Sequence, residues 1–233
     1  MSDFVHLHVH SEYSLSSSLV RMDELSSTVD KMGMKAVALT DWGNLYGALY
    51  FYKSLKEVTE GRVKPIFGME LGVTVPNSGP FARHVVLLAE TFEGWKNLCS
   101  LSTLAHTKYG LDGEVLRPHV PLHELITHKE GLICLTGGLK GILNSFLIQD
   151  QDSTAKQVLA ELKSAFGERH LYLELQDSSL SVQQKCNEKL LDWSKEFSLP
   201  VVATCDVHYM NQDDAYAQEI WMMVSQKITL EEA

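Results

Sequence analysis

The chain has 233 residues, 45% of them hydrophobic and 21% charged, which is the composition of an ordinary globular protein large enough for one α/β domain or two small ones. Thirty acidic against 20 basic residues give a formal net charge of −10, so the average surface repels phosphate backbones and is a poor candidate for an independent grip on nucleic acid, though a local cationic or metallic pocket could handle one phosphate. No apolar run reaches ~18 residues, and Met1-Ser2-Asp3 carries no basic region ahead of a hydrophobic one, so neither a membrane span nor a secretion signal is expected and a cytoplasmic location is.

The four cysteines, Cys99, Cys134, Cys186 and Cys205, have no paired spacing and are expected as reduced thiols. The last residues, Lys227 to Ala233, supply no cap or closing turn, which reads as a fragment of something longer.

The chain opens with a strand-like stretch, Phe4-Val5-His6-Leu7-His8-Val9-His10-Ser11. Alternation along a strand sends His6, His8 and His10 to one face and Val5, Leu7 and Val9 to the other. Residues two apart on a strand are about 6.6–7 Å apart at Cα, so neighbouring imidazoles can lean onto one ion at ~2.1 Å. Three unpaired rings on a buried face would each cost about 1–3 kcal/mol, which favours a metal over a purely structural histidine row.

Six more apolar runs read as strands: Lys35–Thr40, Lys64–Val73, His84–Ala89, Leu132–Thr136, His170–Leu175 and Pro200–Thr204. Between them, Met22, Leu25, Val29 and Met32 recur at helical steps, with Asp23 and Glu24 at the start and Gly33 past the end. Ala155, Val158, Leu162 and Ala165 do the same before Gly167, and Val182, Cys186, Leu190, Trp193 and Phe197 run up to Pro200. Weaker stripes cover 45–60, 92–106, 139–149 and 213–225. Residues 107–130, with Pro118, Pro121, His119, His123 and His128, form the least regular stretch, and these three histidines are expected as surface polar residues. Strand alternating with helix predicts a single α/β domain over 1–233 with a parallel-rich sheet, barrel or open, and no Gly-rich dinucleotide fingerprint follows the first strand.

Functional groups in such folds gather at strand ends. There the sequence offers His8 and His10, then Asp41 in Thr40-Asp41-Trp42-Gly43-Asn44, which also suits a turn-former. Glu70 lies among apolar neighbours, and Asp206 and His208 stand two apart after the last strand. His84 opens its strand instead of closing it, which conflicts with a strictly parallel sheet unless that strand reverses. This nitrogen and oxygen set suits zinc, manganese or iron better than calcium, and points to hydrolysis of a phosphate ester. Cys205 beside Asp206 and His208 is a weaker nucleophile reading, because no third group orients a base.

Five segments carry a resemblance. They are His8-Val9-His10-Ser11, Thr40 to Gly47, Lys64 to Glu70, Glu130 to Gly138, and Val201 to Tyr209. In that order they resemble the polymerase and histidinol phosphatase (PHP) domain, in the form that begins alpha subunits of bacterial replicative DNA polymerase III. The resemblance implies a distorted seven-stranded (β/α)7 barrel whose strand ends hold up to three metal ions. It implies either a metal-dependent 3′–5′ proofreading exonuclease or, where the site has decayed, a support and docking surface for a separate proofreading subunit.

The family's ligand positions are retained at His8, His10, Glu70, His84, Asp206 and His208. They are lost at Ser17, Trp42 and Gly138. By the family's arrangement one ion would use His8, His10, Glu70 and Asp206, a second Glu70, His84 and position 138, and a third Ser17, Trp42 and His208. One divalent ion (Zn, Mn or Fe) is therefore expected, not a full trinuclear set, with weak or no exonuclease activity and no catalytic residue assigned. The implied partners are the polymerase remainder of the same chain, a proofreading exonuclease subunit and other replicase subunits, with DNA reached through the whole polymerase and no membrane. The competing readings are an active proofreading exonuclease and a free-standing PHP metallophosphatase.

Overall fold

A computed structural model describes residues 4–79, 81–110 and 118–229. Its elements, in chain order, begin with α1 (Met22–Lys31), β1 (Ala36–Leu39), α2 (Ala48–Val58), β2 (Lys64–Thr74), β3 (Arg83–Ala89) and α3 (Phe92–Leu104). They continue with β4 (His119–Pro121), α4 (Leu122–Thr127), β5 (Leu132–Leu135), α5 (Asn144–Leu147), α6 (Asp152–Phe166), β6 (Leu171–Gln176), α7 (Ser181–Phe197), β7 (Val201–Thr204) and α8 (Ala215–Gln226). No helix among the described residues is long and apolar enough to cross a membrane. The α/β class and the seven strands are as the sequence predicts, though not the same seven.

The chain divides into two compact units, Met1–Phe67 with Asp206–Ala233, and Gly68–Cys205. In the first, the helical stripe becomes α1, with Asp23 and Glu24 in its first turn and Lys31 in its last, each favourable toward the helix dipole. Its buried face, Met22, Leu25 and Val29, joins Val9, Val37, Leu39, Phe51 and Leu55 in one core. Ser54 donates to Ser26 at 2.8 Å between α1 and α2, so the buried hydroxyls of this helix pair are satisfied. β1 pairs in parallel with the first residues of β2, Ala36 opposite Lys64 to Leu39 opposite Phe67.

The opening stretch does not form the expected ladder strand. Its backbone is held at intervals: His6 O accepts from Ala38 N, Val9 O from Thr40 N, and Val9 bridges Val207 in parallel. The Thr40 hydroxyl takes the Val9 N–H at 2.9 Å, replacing the main-chain acceptor a regular strand would have supplied.

In the second unit, β2 runs antiparallel to β3, and β3 antiparallel to β5, while β5, β6 and β7 are parallel. β3 therefore reverses, which resolves the position of His84: the start of β3 lies opposite the end of β2, with Gly72 facing His84. The irregular stretch hides β4, which pairs in parallel with β2 and sets His119 opposite Gly72. His119 is buried there, not at the surface, since the glycine opposite leaves room for its ring. His123 is exposed as expected, and residues 111–117 of that stretch lie outside the described residues. The stripes at 152–166 and 181–197 are helices as read, whereas 139–149 yields only the single turn of α5.

Candidate metal centre

Two short sequences with the same alternation build the cluster in the first unit. The Val9–Val207 bridge is closed by His10 N donating to Val207 O at 2.9 Å and Val207 N donating to His8 O at 3.0 Å. Val9 is buried in the core and Val207 packs against it. With a side-chain period of two, the residues flanking each valine point the other way, so His8, His10, Asp206 and His208 emerge on one face. Asp206 takes a left-handed φ of 48°, a conformation Asp tolerates better than most side chains.

Three imidazoles converge on one carboxylate oxygen. Asp206 Oδ1 lies 3.3 Å from His8 Nε2, 3.3 Å from His10 Nε2 and 3.1 Å from His208 Nε2. His8 Nε2 and His10 Nε2 are 3.2 Å apart, and the His10 and His208 rings stack at 4.3 Å with 8° between their planes. Oδ1 is buried and accepts no well-angled hydrogen bond. Burial opposes ionisation of Asp206, but the facing His8 and the close His10 and His208 rings hold its carboxyl well below the usual carboxylate range.

The far nitrogens fix which atom each ring presents. His208 Nδ1 lies 2.7 Å from the carbonyl oxygen of Ser17, which can only accept, so Nδ1 carries a proton and Nε2 is the atom turned to the cluster. Ser14 Oγ donates to Asp41 Oδ1 at 2.7 Å and so accepts from His10 Nδ1 at 2.9 Å, which turns His10 Nε2 to the cluster in the same way. Asp41 is gripped in turn by Ser11 N at 2.7 Å and Ser11 Oγ at 2.8 Å. Asp41 is thus an anchor behind His10 and not merely a turn-former. The sequence assigns no role to Ser11 or Ser14, and their signal is two serines following His10 at one and four residues. Three ring nitrogens gathered within 3.3 Å of one carboxylate oxygen form a donor set that fits a divalent ion of the zinc, manganese or iron kind.

At the positions expected to have lost ligands, other bonds are made. Ser17 Oγ donates to Ser14 O at 3.1 Å, and the Trp42 backbone N–H donates to Ser14 Oγ at 3.0 Å. His6, the first histidine of the opening row, is only partly buried, and its Nδ1 is a buried atom without a hydrogen bond. Burial pushes the Cys205 thiol up, away from the thiolate a nucleophile needs.

In the second unit, His84 Nδ1 lies 2.8 Å from Glu70 Oε1, and Glu70 is largely buried. The antiparallel register accounts for the pair: Gly72 faces His84, so Glu70 is its diagonal neighbour on the same face. Gly138 presents no side chain, and its carbonyl accepts from Asn144 Nδ2 at 3.0 Å.

Compared with known proteins, residues 6–178 match the family model for the PHP domain. The chain is 35% identical to DNA polymerase III subunit alpha of Aquifex aeolicus, over 99% of this chain and 20% of that protein. It is 34% identical to the subunit of Thermus aquaticus, over 98% of this chain and 19% of that one. The chain thus spans about a fifth of the length of these curated relatives. Among solved structures, a candidate metal-dependent phosphoesterase of Bifidobacterium adolescentis aligns with TM-score 0.56 at 12% identity, covering 95% of this chain and 97% of that one. An amidohydrolase of Chromobacterium violaceum, with bound sulfate, aligns with TM-score 0.58 at 13% identity, covering 93% and 96%. At these identities the likeness speaks to fold, and the fold class is the expected one.

Proposed function

The chain belongs to the PHP domain family, and from that premise we propose that it is the PHP domain of a bacterial replicative DNA polymerase III alpha subunit, with a degenerate metal site and weak or no 3′–5′ exonuclease activity. Its role in that reading is to support the polymerase portion of the same protein in the cytoplasm and to dock a proofreading exonuclease subunit and other replicase subunits, with DNA engaged through the whole polymerase. The relatives, each a DNA polymerase III alpha subunit about five times longer, support this assignment.

The observation that carries the metal reading is the convergence of His8, His10 and His208 Nε2 on Asp206 Oδ1. These four residues would hold one divalent ion. Such an ion, when bound, supplies Lewis acidity toward a phosphate oxygen and toward water. The chain's own residues orient the donors: Ser17 O and Ser14 Oγ accept from Nδ1 of His208 and His10, and Asp41 fixes Ser14. Ser17, Trp42 and Gly138 bring no ligating side chain, and phosphodiester cleavage that relies on several ions loses most of its charge stabilisation without them.

Protein prepared without chelators is expected to retain one Zn, Mn or Fe per chain, lost in His8→Ala. It is expected to leave single-stranded and mismatched DNA largely intact under manganese or zinc. Robust cleavage abolished by His8→Ala would overturn the degenerate reading in favour of an active exonuclease.

A further inference from the structure

The C-terminal helix α8 contributes one buried residue, Gln218, while Tyr216, Trp221, Met222 and Val224 along it are exposed. Ile220 and Met223 are half-buried, and the one fully buried contact of the helix is the amide. Gln218 Nε2 donates to the carbonyl oxygen of Ser17 at 2.7 Å. The same oxygen accepts from His208 Nδ1 at 2.7 Å. A carbonyl oxygen has two lone pairs, and here both are taken, one by the helix and one by the imidazole whose other nitrogen faces Asp206.

We propose that Gln218 is a positioning residue for the metal cluster: by sharing the Ser17 carbonyl with His208, it fixes the direction in which His208 presents Nε2. This rests on the reading that His8, His10, Asp206 and His208 hold an ion. The chain on either side of that carbonyl is pinned independently. Ser17 N donates to Ser14 O at 3.0 Å, Ser18 Oγ bonds both His10 O and His208 O at 2.9 Å, and Leu19 N donates to His208 O at 2.9 Å. What those bonds leave to be set is the tilt of the Ser17 peptide, and Gln218 holds it. The orientation of the amide is forced, since a flipped carboxamide would press Oε1 against the carbonyl oxygen; in the observed one Oε1 is buried without a partner. Accepting an unpaired oxygen in order to place the N–H is the arrangement expected when that N–H has a use elsewhere.

The test uses the 233-residue chain with Gln218→Met, which keeps the length of the side chain and removes the donor. Zinc affinity is measured by chelator competition, alone and in a His208→Ala background, and the orientation of the His208 ring is read from crystal structures of metal-free wild type and Gln218→Met. Loss of such an outer hydrogen bond is expected to weaken zinc binding about 10–100-fold. In His208→Ala the same change is expected to cost nothing further, because the effect is transmitted through that ring. The His208 ring is expected to turn in Gln218→Met relative to wild type. Unchanged zinc affinity and an unchanged ring orientation in Gln218→Met would overturn the inference, as would equal weakening in both backgrounds. If wild-type protein takes up no zinc, the metal reading fails, and the ring orientation alone then decides whether Gln218 sets His208.

Discussion

The carboxamide of Gln176 lies over the α-carbon of Gly138, such that a β-carbon added there would stand 2.1 Å from Gln176 Oε1. Gln176 cannot withdraw without loss, because its Nε2 donates to the fully buried carboxylate of Glu174 at 3.1 Å and to Thr204 Oγ1 at 3.3 Å. The space at position 138 is occupied from β6, and a ligand restored there alone would meet an amide already in place. Gly138→Ala is expected to lower stability by about 1–3 kcal/mol, the range for overpacking and for stripping a donor from a buried acceptor. In a Gln176→Ala background the same substitution should cost about 1 kcal/mol less, a coupling readable from a urea-unfolding double-mutant cycle. Additive effects would mean that the two residues do not compete for this space.

Ser14 is the hinge of the hydrogen-bond chain behind His10. Its hydroxyl donates to Asp41 Oδ1 and accepts from His10 Nδ1 and from the Trp42 backbone N–H. Ser14→Ala removes three bonds at once in a buried setting. Leaving such donors unpaired costs about 1–3 kcal/mol, and releasing the imidazole should weaken metal binding about 10–100-fold. Denaturation and chelator competition on one preparation separate the two effects. A variant that lost stability but bound the ion as wild type does would show that Ser14 serves the loop and not the ligand.

How much of this was legible beforehand follows from what has a period. His8-Val9-His10 and Asp206-Val207-His208 could be read as ligand pairs because alternation sorts imidazole from valine without knowledge of the partner strand. α1, α6 and α7 were equally plain, each with a stripe at helical spacing and a stop just past it. The reversal of β3 left no such mark, since strand direction is set by pairing and not by composition; His84 at the wrong end was its one trace. β4 is three residues long, too short for any alternation to register, and so His119 passed for a surface residue. The anchoring of His10 by Ser14 and Asp41 joins residues 27 apart in the chain through hydroxyl and carboxylate alone, and no pattern of hydrophobicity encodes that.

Gly94 and Gly131 form a contact that tolerates no side chain. A β-carbon on Gly94, in the first turn of α3, would lie 1.9 Å from the Gly131 carbonyl oxygen. That oxygen is main chain and already accepts from Glu90 N at 2.9 Å, so it cannot move aside as a side chain would. Gly94→Ala is therefore expected to cost about 3 kcal/mol, at the upper end for overpacking. Gly61 is the useful control: an added β-carbon meets nothing within 4 Å, and only its φ of +78° opposes substitution. Gly61→Ala should cost about 1–2 kcal/mol, the left-handed penalty alone. Similar losses in the two variants, measured by thermal or urea unfolding, would contradict the steric account.

Cys134 should make the stability of the protein fall in alkali. Its thiol is fully buried in β5, and burial, reinforced by the charge of Glu174, pushes its ionisation far above the usual range. In the unfolded chain the thiol titrates near pH ~8.5. Below that value both states keep the proton and the full contribution to stability is present. Above it the unfolded chain releases a proton that the folded one retains, so stability declines by up to ~1.4 kcal/mol per pH unit for such a thiol. Burial also pushes Cys186 upward, and it adds to the same slope. Urea unfolding at pH 7.5, 8.5 and 9.5 should show the larger part of the decline between the second and third points. Cys134→Ala should be less stable at pH 7.5, because it leaves a small void in a closed strand, yet should lose about 1 kcal/mol less than wild type on going to pH 9.5. Parallel pH profiles for the two proteins would place the alkaline loss on other groups.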